Sequence, residues 1–163
     1  MNRLFSILFY VLLSLLFIVL QTTFLSPNRL GVFYPDLSLI LIVFLALFSE
    51  TKAGAIIAFG NAYMTDVLSG YLFGLHTFSR LAVFTTLKGF SENVYPQSKL
   101  TQGISIFFST IFSWFFVWAV LEMKTDIEFD ISPVSVISQG IVNILAGLPI
   151  FWMIKKSNAR IQA

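Results

Sequence analysis

The stretch "LFSILFYVLLSLLFIVL", residues 4–20, contains no charged residue, and only Ser6, Tyr10 and Ser14 carry a polar group. A soluble amphipathic helix would bring in polar residues every third or fourth position, and a half-buried strand every second. The run therefore suits a helix that is apolar on all sides, and with its flanks it approaches the 20 or so residues that cross a bilayer. Arg3 ahead of it imitates the basic start of a signal peptide. The run is too long for one, however, and "QTTFLSPNRLG" (21–31) has no small-x-small cleavage site, so the segment is read as a retained first helix.

The rest of the chain follows suit. Of its 163 residues, 57% are hydrophobic and 11% charged, and the mean hydropathy is +0.87; a soluble domain carries about 25% charged residues. The apolar segments are solid rather than alternating, which excludes a membrane β-barrel, and backbone polar groups must pair internally in lipid, which leaves helices. The reading is an all-α polytopic membrane protein with six transmembrane helices, approximately 4–25, 37–49, 53–68, 72–87, 103–121 and 134–154. These form one integral membrane domain over 1–163. The connections are too short for a soluble domain.

Basic residues give the orientation, because Lys and Arg accumulate in cytoplasmic loops. With the N-terminus inside, Arg3, Lys52, Lys88, Lys99, Lys155, Lys156 and Arg160 fall on the cytoplasmic side, against Arg29 and Lys124 on the other. Both termini are accordingly expected to be cytoplasmic. The basic residues are scattered in short loops, without the stripe that a nucleic-acid surface needs.

There is no cysteine and a single histidine, so thiolate chemistry is excluded and metal ligation has little to draw on. No serine lies in a recognisable nucleophile motif. The sequence is therefore read as non-enzymatic and without cofactor.

Polar residues within the apolar segments concentrate in "TDVLSGYLFGLHTFSR", 65–80. If the third and fourth helices form a hairpin turning near Gly70, Asp66 lies level with His76, and Arg80 lies near Asn61 and Ala62, about a helical turn deeper. Charged groups at membrane depth cost roughly 2.5 to 3.5 kcal/mol each and seek partners. Asp66, His76 and Arg80, with Asn61, are thus candidates either for a relay, substrate or partner site, or for a cap and clamp that pin the hairpin. Gly54, Gly60, Gly70 and Gly74, interleaved with alanines, let helix backbones approach, which makes the third helix the expected centre of the bundle. The aromatic run "FFSTIFSWFFVWAV" (107–120) suits lipid contact, or a docking face anchored by Phe115, Phe116 and Trp118.

In order, "LFIVLQTTFL", "PDLSLILIVFLAL" and "KAGAIIAFGNAYMTDVLSGYLFGLHTFSRLAVF" resemble the rod shape-determining MreD family of small bacterial inner-membrane proteins. The residues that carry the likeness are Pro35, Asp36, Leu37, Gly54, Gly60, Asp66, Ser69, Gly70, Gly74 and Leu75. The resemblance implies a scaffold of the cell-elongation machinery that governs shape and lateral peptidoglycan synthesis. It would bind MreC, and directly or indirectly the MreB filament, RodA and an elongation transpeptidase; self-association is compatible with it. The family is similar in fold to the substrate-binding subunits of energy-coupling-factor vitamin transporters, which supplies the alternative function.

Overall fold

A computed structural model describes residues 2–23, 25, 33–49, 51–69, 74–91, 93–124 and 132–162. Six helices and no strand occur among them: α1 (Asn2–Thr23), α2 (Leu37–Phe48), α3 (Thr51–Ser69), α4 (Leu75–Ser91), α5 (Lys99–Lys124) and α6 (Pro133–Gln162). Three contain segments long and apolar enough to cross a membrane, Leu4–Thr23, Lys99–Met123 and Pro133–Ala159.

The helices start and stop close to the expected bounds, with two informative differences. α4 begins at Leu75, directly after Gly74, whose φ of +93° lies in the left-handed region that only glycine enters without strain. α6 runs on to Gln162, well past the expected 154, and continues unbroken through Pro149.

α2 spans only about 18 Å at 1.5 Å per residue, and every residue from Leu37 to Leu47 is buried. Its sequence, LSLILIVFLALF, has no polar face, because it touches all five other helices. This corrects the expectation that α3 is central. α3 packs through Ala58 and Ala62, both fully buried, while Ile56, Phe59, Tyr63, Met64, Val67 and Leu68 lie exposed on its other side. Small residues show where a helix approaches a neighbour; a uniformly apolar one shows which helix is surrounded.

The tightest seam joins α5 and α6. A Cβ added at Gly140 would lie 2.7 Å from two Phe107 ring atoms, and one at Gly147 would lie 2.6 Å from Ile106 Cδ1. Glycine there lets the helices approach more closely than alanine would. Along α5, Ile104, Phe108, Phe115 and Trp118 remain exposed, an arrangement that suits lipid contact and a docking face alike.

Candidate functional site

Asp36 precedes the first turn of α2 and caps it, Oδ1 accepting from Leu39 N at 2.9 Å. A carboxylate here satisfies an orphan amide and meets the positive end of the helix dipole. Pro35 ahead of it has its own φ fixed by the pyrrolidine ring and no amide proton to satisfy. The same carboxylate receives Arg80 from α4, whose Nη2 lies 3.1 Å from both oxygens. Gln21 of α1 donates to Oδ1 at 3.2 Å and accepts from Ser38 N at 3.1 Å.

The network reaches the remaining helices. Arg80 Nη1 donates to Thr65 Oγ1 of α3 at 2.9 Å. Asp36 N donates to Asn143 Oδ1 of α6 at 2.8 Å, and Asn143 Nδ2 donates in turn to Thr110 Oγ1 of α5 at 2.9 Å. All six helices are thus tied to one residue, Asp36, directly or through one intermediary: α1, α2, α3 and α4 at its carboxylate, α6 and α5 at its backbone amide. The pair is nearly dry, the Arg80 and Asp36 side chains being 2% and 16% exposed.

The position of Arg80 corrects the depth expected from the hairpin. A Cα–Cβ bond tilts toward its helix N-terminus, so the long arginine climbs about a turn above its own backbone. It therefore meets Thr65 and Asp36 rather than Asn61 and Ala62. Asn61 faces the other way and donates to Ser14 Oγ of α1 at 2.8 Å. Arg80 Nε, Ser38 Oγ and Asn61 Oδ1 remain without partners among the described residues.

Asp66 lies level with His76, as the hairpin geometry expects. Its oxygens accept from His76 N at 2.8 Å and Thr77 N at 2.9 Å, and from the Thr77 hydroxyl. An aspartate on α3 thus caps α4, and at 2% exposure it is buried. Of the alternatives open for Asp66, the geometry realises the cap. Arg80 becomes a clamp whose partner, Asp36, is a second, partly buried acid that the sequence reading placed only within a family motif.

The glycines divide. A Cβ at Gly54 would collide with Ser49 Oγ at 2.0 Å and press on the Phe84 ring at 3.3 Å, whereas Gly60 has nothing within 4 Å and lies exposed. Gly60 therefore permits no helix approach among the described residues. Gly74 supplies the positive φ before α4. Gly70 lies outside the described residues.

Beside the network, at the end where α2, α4 and α6 begin, is a cavity of about 90 Å³ bordered by Asp36, Tyr34, His76, Ser113, Trp114 and Gln139. Trp114 Nε1 donates to Gln139 Oε1, and Ser113 and Ser79 share a hydroxyl contact of 3.0 Å. Sequence reasoning missed Gln21, Thr110, Gln139 and Asn143. The available signal was Gln139 and Asn143 standing four apart, hence on one face of α6.

The arrangement can hold six helices in a single register. No group of three or more His, Cys, Asp or Glu able to hold a metal ion occurs among the described residues. Compared with family models, with curated proteins and with solved structures, the chain finds no match.

Proposed function

We propose that this chain is a six-span, non-enzymatic scaffold of a bacterial inner membrane, of the rod-shape MreD type, with both termini cytoplasmic. The observation that carries this reading is the joining of all six helices at Asp36, whose capping, ionic and amide bonds all go to other parts of the same chain. Such a network builds a rigid platform for partner helices. The resemblance supports it further, since Pro35 and Asp36 stand at the head of the central helix and Asp66 and Gly74 build the α3–α4 hairpin.

In this reading the protein binds MreC, and through it or directly the MreB filament, RodA and an elongation transpeptidase. The test is co-purification with MreC from membranes, together with depletion in a rod-shaped cell. Stoichiometric recovery and rounding are expected; rods of normal shape after clean depletion would exclude the proposal.

The vitamin-transporter reading draws on the polar cavity beside Asp36. At about 90 Å³ that space is smaller than the roughly 150 Å³ that admits a benzene ring, which favours the scaffold. Saturable binding of any vitamin would reverse the preference.

A further inference from the structure

The cavity beside Asp36 has a chemistry that the helix network does not use up. Among the described residues Asp36 Oδ2 accepts only from Arg80, whereas Oδ1 takes three donors. The Gln139 amide oxygen accepts from Trp114, and Gln139 is also hydrogen-bonded to the Tyr34 hydroxyl. Its NH2 is the group left to donate, so the phenol proton of Tyr34 stays available as a donor. Burial, and then the nearby Asp36 carboxylate, push the Tyr34 phenol above its ordinary range, so the proton is retained at neutral pH. The His76 ring makes no hydrogen bond among the described residues and borders the same space.

The space thus offers an open carboxylate lone pair, a phenol donor and an imidazole able to act either way. Among the described residues its wall carries no net charge, because Asp36 is paired with Arg80 and no other described acid, lysine or arginine borders it. An ion entering would bring an uncompensated charge, which is costly away from water. A neutral group with two donors and one acceptor on one edge would satisfy the wall, whereas an apolar one would strand it. The volume, about 90 Å³, equals the liquid share of on the order of three waters, enough for a group of about four heavy atoms.

We propose that this cavity is a binding site for a small neutral molecule presenting a primary amide edge, its NH2 toward Asp36 Oδ2 and His76 and its carbonyl oxygen accepting from Tyr34. The site is independent of the scaffold reading and stands or falls separately from it.

The test uses the full chain in lipid nanodiscs with Trp118→Phe and Trp152→Phe, leaving Trp114 as the sole reporter on the cavity wall. Acetamide, acetate and acetamidinium are titrated as a nearly isosteric neutral, anionic and cationic series. Acetamide is expected to shift Trp114 emission saturably, at a concentration at least about tenfold below either ion. Filling the space with Ser113→Leu should abolish the response; if that variant loses its fold by circular dichroism and gel filtration, Val117→Phe takes its place. A linear response, an unchanged response in a folded cavity-filled variant, or ions that saturate as readily as acetamide would each overturn the assignment.

Discussion

Asp36 and Arg80 stand 44 positions apart, yet one guanidinium nitrogen, Nη2, lies 3.1 Å from both carboxylate oxygens. A buried ion pair is weak evidence for net stability, because desolvation offsets much of the attraction. Its clearer consequence is uniqueness. Asp36 also caps α2, and Arg80 also binds Thr65, so a shift of α4 by one turn would strand both charges.

Removing one partner alone should therefore be severe. Arg80→Ala leaves the Asp36 carboxylate buried without its cation and is expected to cost about 3–5 kcal/mol, read as reduced thermal stability of the detergent-solubilised protein. The double variant Asp36→Asn/Arg80→Leu should be milder than Arg80→Ala, since Asn keeps an oxygen for Leu39 N and no charge is stranded. The exchange Asp36→Arg/Arg80→Asp should not rescue, because it restores a pair but deprives α2 of its acceptor. Full rescue by the exchange would show that only charge matters here.

Asp66 tests a different bond type. Asp66→Ala removes the acceptors of the His76 and Thr77 amides and should cost about 1–2 kcal/mol, whereas Asp66→Asn, keeping one oxygen, should cost less. Hydrogen exchange is the informative measurement: the start of α4 should exchange faster in the alanine variant while α6 is unchanged. Uniform acceleration along the chain would mean that Asp66 holds the whole bundle rather than one helix end.

The proposed orientation is open to direct labelling, since the chain has no cysteine. Val134 at the start of α6 and Tyr95 in the α4–α5 connection are both well exposed. With Val134→Cys, a membrane-impermeant maleimide should react in intact spheroplasts. With Tyr95→Cys it should react only after lysis. The reverse pattern would invert the topology, and labelling of both in intact cells would remove the six-span reading.

What could be read in the sequence, and what could not, divides by the range of the interaction. Helix positions were legible because an apolar run in lipid has no other way to pair its backbone. The Asp66 cap was legible because its partners lie 10 and 11 residues away across one hairpin. The Asp36–Arg80 pair was not: mirror depth concerns Cα atoms, and the arginine leaves its own level by the length of its side chain. Asn143 was missed for another reason. Even with Gln139 four residues away marking a polar face, an amide carries no sign of its target, which lies 107 residues away at Asp36 N.

The glycines give the sharpest contrast between what a residue type suggests and what its surroundings require. Gly60→Ala places a methyl in open space on a helix interior, so it should be neutral or stabilise by up to about 1 kcal/mol through helix propensity. Gly140→Ala and Gly147→Ala gain the same propensity but drive a methyl into Phe107 and into the buried Ile106; overpacking of this kind costs about 1–3 kcal/mol, so both should be net destabilising. The Ile106 contact is with its Cδ1 alone among atoms closer than 3 Å, and Ile106→Val deletes that methyl. Gly147→Ala/Ile106→Val should therefore be less damaging than the sum of its two single changes, by a coupling of about 0.5–3 kcal/mol. Strict additivity in thermal unfolding would mean that α5 and α6 separate to admit the methyl, and that the close seam is not what Gly147 serves.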